Sequence, residues 1–573
     1  MLVDELKRLF PFPTYRKYQE QVLTKIAEHL STGVRCIFLD APVGFGKSAI
    51  NVTLCRYYWS YYTTPQLQLV TQLERDPILS QYLTVIRGRS NYICSLLPDG
   101  STVDIGLCVR VPDTNCDKYN ICPYYIRKKL AIESQAVLTT TQYLAIEGYN
   151  PVFDSLYNGN ENKSREESMF QERDLLIVDE CHTLPSVLLS QLSLTLTSEL
   201  LDELGMDLLV DESEIMNWLV ELKNNIVDYI DAHKQMTLDN QVIIATEMTR
   251  RLVQMQQILY TVSIYINCNI MPIVDIKYLS ISNSGNGSNN GDNNNSSSNN
   301  NRSNSTNKKF IIILRPYSVR NFVSAMLWRR SEIVVLSSAT IIPELLIRET
   351  GIDIEPKFQQ HTARISVPSN IPVSNRPIIL MTEYDMSFEN RDKELIRVLP
   401  QLKLIFDKYL SDNILVHVSS YKIAEDLILL YKQFYNDTSR FIIGRTEEEL
   451  NKFLNSRGKI YVSPSAHEGL DLYDDRCRCQ VLLKLPFPDI KDKWVSVHLQ
   501  NKEWFWYNMS TLLKVIQAYG RAVRHERDYA VFYILDKSFN RLIKSYRKYL
   551  PSFFLEALPD YTDGSQGSYG RYC

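Results

Sequence analysis

At 573 residues the chain is too long for one hydrophobic core, so several domains are expected. Hydrophobic and charged fractions of 45% and 23% are ordinary for a soluble globular protein. The formal net charge of −3 excludes a globally basic chain, so any nucleic-acid contact must come from local patches. The start, MLVDELKRLF, lacks a signal peptide's apolar core, and no apolar run approaches the ~18 residues of a membrane span. An intracellular, soluble protein with no membrane partner is therefore expected. Eleven cysteines in that setting do not make a disulfide framework; clustered ones suggest a metal site, and scattered ones small buried hydrophobes.

FPFPTYRKYQEQVLTKIAEHL gives a Pro-interrupted lead and then an amphipathic helix. Arg16 and Gln19 stand at its start, either facing a base or phosphate or forming a solvated first turn. Over 34–48, VRCIFLDAPVGFGKS, a short apolar run reads as a buried strand. It breaks at Ala41-Pro42 into a loop carrying Gly44 and Gly46, and a helix-like pattern follows Lys47-Ser48. Strand, Gly-Lys-Ser loop and helix is the order of a phosphate-binding loop. Its glycines turn backbone N–H groups toward phosphate oxygens, Lys47 reaches the β- and γ-phosphates, and Ser48 holds Mg²⁺. Ala41 stands where the usual pattern has its first glycine. A second strand–loop–helix unit, through Thr63-Thr64-Pro65 and QLQLVTQLERD, fits a parallel α/β sheet.

From Arg87 periodicity fades, and four cysteines follow: Cys94, Cys108, Cys116 and Cys122, with gaps of thirteen, seven and five residues. Four thiolates in a loop-rich segment argue for zinc or an iron–sulfur cluster. No tight C-x₂₋₄-C pair occurs, and a proline follows the last cysteine, which leans toward iron–sulfur. Tyr92, Tyr124 and Tyr125, with Arg87, Arg89, Lys128 and Lys129, read either as a nucleic-acid contact surface or as ordinary packing. The α/β pattern resumes at Ala136, and LLIVDECH then ends an apolar run in two carboxylates. At the carboxyl end of a parallel strand Asp179 can hold the Mg²⁺ shell and Glu180 can orient and deprotonate a water.

Residues 188–270 read as mostly helical. Ile215, Leu219, Leu222, Ile226 and Ile230 form one stripe, and Met248, Leu252, Met255, Leu259 and Val262 another. The tract 282–307, almost wholly Asn, Ser and Gly, reads as a disordered tip between two strand-like runs. Another buried strand ends Ser337-Ser338-Ala339-Thr340, whose hydroxyls can bridge a nucleotide site and a neighbouring domain. Residues 351–376, rich in Pro, Ser and Asn, read as a linker. A second α/β unit then carries LVHVSSY, HEGLDL and TLLKVIQAYGRAVRHERD. Gln517, Gly520, Arg521 and Arg524 fall at helical spacing on one face, where a glycine suggests close approach of another group and two arginines can clamp phosphate. The bland reading of that segment is a basic surface helix.

In this order APVGFGKS, TTPQLQLV, GRSNYIC with three later cysteines, LLIVDECH, SSAT, LVHVSSY, HEGLDL and QAYGRAVR resemble the XPD/DinG family of superfamily 2 helicases, nearest its shorter archaeal XPD-like members. The resemblance implies an α/β protein with two RecA-like motor domains, each with a parallel sheet, and two insertions in the first. It divides the chain into a first motor domain (1–86, 136–187 and 271–350), a cluster domain (87–135), a helical arch (188–270), a linker (351–376) and a second motor domain (377–573). It further implies ATP and Mg²⁺ bound by Lys47, Ser48, Asp179, Glu180, Gln517, Arg521 and Arg524, and a [4Fe-4S] cluster on Cys94, Cys108, Cys116 and Cys122. Arg16, Gln19, Gly44 and Gly46 join the nucleotide-binding set. His182, Ser338, Ala339 and Thr340 match residues coupling hydrolysis to domain movement. Single-stranded and forked DNA are the implied partners of a monomeric 5′-to-3′ helicase, with repair proteins beside it. Phe45 is bulkier than usual inside the loop, and either narrows the nucleotide site or points outward. Two other readings stay open: a nucleic-acid-stimulated ATPase that remodels complexes or acts on RNA, and a non-catalytic DNA sensor with a vestigial motor.

Overall fold

The computed structural model describes residues 1–97, 100–106, 119–148, 170–209, 211–239, 247–279, 309–465 and 472–559. Apolar runs of four to eight residues become strands buried on both faces, and the amphipathic segments between them become covering helices. In chain order the first strands are β1 (Cys36–Asp40), β2 (Ser60–Thr64), β3 (Thr84–Val85), β4 (Ala136–Thr140) and β5 (Arg173–Asp179). The chain then leaves for a three-stranded antiparallel sheet of β6 (Leu194–Thr197), β7 (Pro272–Tyr278) and β8 (Phe310–Pro316). It returns as β9 (Ser331–Ser338) and β10 (Thr362–Ser366), completing a seven-stranded parallel sheet of order β10-β1-β9-β5-β2-β4-β3. A six-stranded parallel sheet, β11-β16-β15-β12-β14-β13, forms from Ile378–Tyr384 (β11), Ile414–His417 (β12), Phe441–Ile443 (β13), Ile460–Ser463 (β14), Cys479–Leu482 (β15) and Val531–Asp536 (β16). Two doubly covered parallel sheets are the α/β, two-RecA-like architecture expected.

Alternation along the strands divides the core. Cys36, Phe38, Leu176, Val178, Val334 and Leu336 pack on one face of the first sheet, and Ile37, Leu39, Leu175, Ile177, Ile333 and Val335 on the other. The insertion is built on helices Ile215–Asp239 and Glu247–Asn267. Every residue of the two predicted stripes joins the first core except Met248, which is exposed. No helix among the described residues is long and apolar enough to cross a membrane.

Two segments hold a strand that was not expected. The mostly helical 188–270 segment also contains Leu194–Thr197, a strand paired with β8, its alternating Leu and Thr giving one buried and one open face. The 351–376 segment is not only a linker, because Thr362–Ser366 pairs in parallel with β1. An edge strand with one buried side chain lacks the apolar run that marks a central one. β7 and β8 form the expected hairpin, with Tyr278 opposite Phe310, and the 282–307 tract lies outside the described residues.

The antiparallel sheet and helix Pro343–Thr350 meet helices Lys493–Gln500 and Trp504–Tyr519 of the second α/β unit through an aromatic and acidic contact. Tyr317, next to β8, stacks on His498, and His498 stacks on Trp506, at ring separations of 4.4 and 4.6 Å. Trp494 Nε1 donates to the Pro316 carbonyl at 2.8 Å, and Trp506 Nε1 donates to Glu349 at 3.0 Å. Burial pushes the Glu349 carboxyl up from 4.5 to about 7, against the pull of the Trp506 hydrogen bond. An acid raised on folding costs stability once ionised, so this burden is absent below its unfolded pKa and grows as pH rises toward 7. Glu349→Gln keeps an acceptor for Trp506 and removes the charge. Its melting temperature should fall less than wild type's between about pH 5 and about pH 8, and lie above it at the upper end. Parallel melting curves would show that this carboxyl ionises freely.

Candidate nucleotide site

The loop after β1 turns on two glycines in the left-handed region, Gly44 at φ +82° and Gly46 at φ +86°, and helix Lys47–Tyr57 starts directly behind them. Residues with a Cβ are strained there, which is why the sequence spends glycine at both positions. Phe45 between them is 1% exposed and packs into the core with Leu39, Ile50 and Val52. It neither narrows the site nor points outward, but anchors the loop from beneath.

Gln19, the first residue of helix Gln19–Ser31, and Arg16, three residues before it, both reach this loop. Arg16 donates to the Gly44 carbonyl at 3.1 Å, and Gln19 Nε2 donates to the Phe45 and Gly46 carbonyls at 3.0 and 3.2 Å. Gln19 Oε1 in turn accepts from the Arg16 backbone N–H at 2.8 Å. Holding the loop's carbonyls from one side leaves its N–H groups to the other, where an anion would sit.

Lys47, Asp179, Glu180 and His182 converge with the end of β9. Lys47 Nζ lies 3.5 Å from Glu180 Oε1. His182 Nδ1 is 2.6 Å from Ser338 Oγ and 3.4 Å from Glu180 Oε2, and the Ser338 hydroxyl also accepts from the Thr340 N–H at 3.1 Å. Glu180 sits at φ +49°, a left-handed position that costs a non-glycine residue roughly 1 kcal/mol or more and turns its carboxylate back toward Lys47. Burial raises the Glu180 carboxyl, but Lys47 and His182 outweigh it and hold the group below the ordinary glutamate range. At Asp179 burial and the Glu180 charge push the other way, and the carboxyl is raised.

Asp179 is the most heavily bonded member. Its Oδ1 accepts from Ser337 Oγ at 2.9 Å and from the Glu180 N–H at 3.0 Å, and its Oδ2 accepts from Tyr62 OH at 3.0 Å. A carboxylate has about four lone-pair sites, so about one remains, on Oδ2. That remaining oxygen and the Ser48 hydroxyl are hard donors of the kind Mg²⁺ takes, and a single open site suits an ion that keeps most of its water. The residues present therefore fit the metal.

The opposite wall departs from expectation. The helix carrying Gln517 is Trp504–Tyr519 and stops at Gly520, so Arg521 and Arg524 lie in the loop beyond it and share no helical face with Gln517. Among the described residues nothing approaches Gly520 closely either, since a Cβ there would meet helix carbonyls at 3.6 and 3.7 Å. Gly520 ends the helix. The close approach is at Gly44, where a Cβ would stand 2.7 Å from the Arg524 carbonyl oxygen. Arg524 is held there by its backbone N–H, which donates to buried Asp528 at 3.0 Å.

Of the four cysteines, Cys94 and Cys122 are buried, and Ser95 Oγ lies 3.5 Å from the Ile121 carbonyl, bringing the two segments side by side. Two buried cysteines in neighbouring segments are compatible with half of a four-thiolate set; Cys108 and Cys116 lie outside the described residues, as do residues 467–471 of HEGLDL. The tyrosines beside them are mainly packing. Tyr124 is fully buried, bonds the Tyr143 hydroxyl at 3.1 Å and stacks edge-on with Tyr92 and Tyr125, while Arg87 pairs with Glu74.

Two family models match the chain: "Type III restriction enzyme, res subunit" over 13–199 and "Helicase C-terminal domain" over 406–556. The first match falls on the glycine loop and its sheet, the second on the six-stranded sheet and the arginine loop. Similar curated proteins include the ATP-dependent DNA helicase CHL1 of Yarrowia lipolytica, 23% identical over 220 residues, covering 30% of this chain and 27% of that protein. The regulator of telomere elongation helicase 1 homolog of Drosophila melanogaster is 26% identical over 244 residues, covering 36% and 24%. The matched stretch thus spans about a quarter of these relatives' length. Among solved structures, S. tokodaii Xpd4 superposes with a TM-score of 0.52 at 13% identity, covering 92% of this chain and 97% of that one. An XPD helicase structure gives 0.58 at 15% identity, covering 94% and 98%. At such identities the superpositions establish the helicase fold alone.

Sequence reasoning passed over Tyr62, Asn51 and Asp528. Asn51 stands four residues after Lys47, one helical turn along, and a buried amide at that spacing was a usable signal. The Gly44–Arg524 approach yields a test. Gly44→Ala would strain φ and press a methyl against the Arg524 carbonyl, so nucleotide turnover should fall at least tenfold while the melting temperature stays within a few degrees. Wild-type turnover would mean that the two walls do not close at Gly44.

Proposed function

We propose that the chain is an ATP-dependent DNA helicase that moves 5′ to 3′ on single-stranded DNA, coupling Mg·ATP hydrolysis to duplex unwinding in DNA repair. One observation carries the reading: the Lys47–Glu180 pair and the Arg524 loop, from two different sheets, close on the same glycine loop. Lys47 neutralises the terminal phosphates, leaving Glu180 for the attacking water. Because Lys47 and His182 keep Glu180 ionised, it can accept the proton that water loses on attack. Arg521 and Arg524 would meet charge developing on the phosphoryl oxygens when the walls close. Ser48 and the open site of Asp179 would hold Mg²⁺, which would supply neutralisation of phosphate charge. His182 and Ser338 join the Glu180 strand to β9, so a shift at Glu180 passes to the segment leading toward the second sheet. The name of the Yarrowia lipolytica relative, an ATP-dependent DNA helicase, supports DNA as the track.

Cys94, Cys108, Cys116 and Cys122 would hold a [4Fe-4S] cluster, whose contribution is structural cross-linking of a segment with little core of its own. Lys47→Ala should abolish ATP hydrolysis stimulated by single-stranded DNA, and unwinding should be seen on 5′-tailed but not 3′-tailed duplexes. Unchanged turnover, or unwinding from the 3′ tail, would refute the corresponding part. Purified protein should be brown and contain iron, losing both on Cys116→Ser; a colourless protein with one zinc would replace the cluster by a zinc site.

A further inference from the structure

Four buried side chains from four elements close a hydrogen-bonded ring beneath the site. Asn51, on the helix that Lys47 begins, donates from Nδ2 to Tyr62 OH and to Ser337 Oγ, each at 3.2 Å. Those hydroxyls in turn donate to opposite oxygens of Asp179, at 3.0 and 2.9 Å. Asn51, Tyr62 and Ser337 are fully buried, so no water competes for these bonds. The direction of the ring is fixed by chemistry. An ionised carboxylate only accepts, so both hydroxyl hydrogens must point at Asp179, and the hydroxyl oxygens then need a donor. Among the described residues the amide nitrogen of Asn51 supplies it to both hydroxyls, which also settles the orientation of its amide.

We infer that Asn51, Tyr62 and Ser337 are positioning residues for the Mg²⁺ that accompanies the nucleotide, with Asn51 as the common donor that selects which lone pair of Asp179 stays open. The inference rests on the nucleotide-site reading above. Without the Tyr62 hydroxyl, Oδ2 loses the bond that orients it. Without the Asn51 amide, both hydroxyl oxygens lose their donor and are free to turn away from Asp179. Losing partners that orient a metal ligand typically lowers metal affinity by about 10- to 100-fold.

The test is binding of a fluorescent ADP analogue to the full chain, titrated with Mg²⁺, for wild type, Tyr62→Phe, Asn51→Leu and Ser337→Ala. In chelator the variants should bind the analogue within about twofold of wild type, because Lys47 and the glycine loop are untouched. In Mg²⁺ the concentration giving half-maximal tightening should rise about 10-fold or more in each variant. Tyr62→Phe changes no buried volume beyond one oxygen, so it reports even if Asn51→Leu does not fold. An unchanged Mg²⁺ midpoint in Tyr62→Phe would overturn the inference while leaving the nucleotide site standing. Failure of wild type itself to bind the analogue would overturn the site reading and this inference with it.

Discussion

The register of three central strands is the constraint on which the site depends. β1 pairs with β9 so that Asp40 lies opposite Ser338, and β5 pairs with β9 so that Asp179 lies opposite Ser337. All three run the same way, so the glycine loop, Glu180 and the Ser338-Ala339-Thr340 turn leave one edge of the sheet together. A slip of one residue would turn Asp179 to the opposite face and separate it from Ser337. The two cores prevent that slip, because alternate side chains of all three strands are buried above and below. Packing and chemistry are thus the same requirement here, met by the same residues.

The second wall is tied to the first by the segment after β10. β10 runs beside β1, and Arg364 and Ser366 both donate to Asp40 at 3.0 Å, just before the glycine loop. Downstream, Ile371 packs with Ala522, Val523 and Ala530, flanking the arginines. Asn375 Nδ2 donates to the Glu526 carbonyl at 2.9 Å, and buried Arg376 donates to the Tyr519 hydroxyl at 3.2 Å, at the end of the Gln517 helix. What composition marks as a connector is therefore a strut. One end is fixed to the strand that feeds the glycine loop, the other to the loop that carries Arg521 and Arg524. Its path gives those arginines a defined distance from the phosphates that they would meet.

What could be read in the sequence was what depends on near neighbours. Apolar runs gave the central strands, and 34–48 announced its strand, loop and helix because all three signals lie within fifteen residues. Asp179 and Glu180 were legible for the same reason. The ring was not, since Tyr62 lies 117 residues from Asp179 and Asn51 lies 286 from Ser337, and no local pattern links such pairs. β10 was hidden by its edge position, where pairing with β1 rather than burial defines the strand. The arginine segment misled through periodicity: spacings of three and four continue past Gly520, whereas the helix stops there. Pattern counts where side chains would fall if the helix went on, and a glycine at its end decides that it does not.

Both walls of the cleft are built around a buried carboxylate, and the difference between the two separates scaffold from chemistry. Asp528 accepts from the Asp474, Arg524 and Tyr529 N–H groups and from Arg478 Nη1, at 2.7 to 3.1 Å. Three of these bonds converge on Oδ1 and one on Oδ2, and the Arg478 guanidinium balances the charge. With its charge already paired, Asp528 fixes the backbone from which Arg524 extends, in a loop that has no helix to do so. Asp179 accepts three bonds, all from groups without formal charge, and keeps one site open. Its nearby cation, Lys47, is shared with Glu180. The charge of Asp179 is thus oriented but not saturated, and a divalent cation is the partner that would complete it. Among the described residues no protein donor fills that last site. Leaving it open costs stability, and the ring of Asn51, Tyr62 and Ser337 confines that cost to a single lone pair facing the nucleotide.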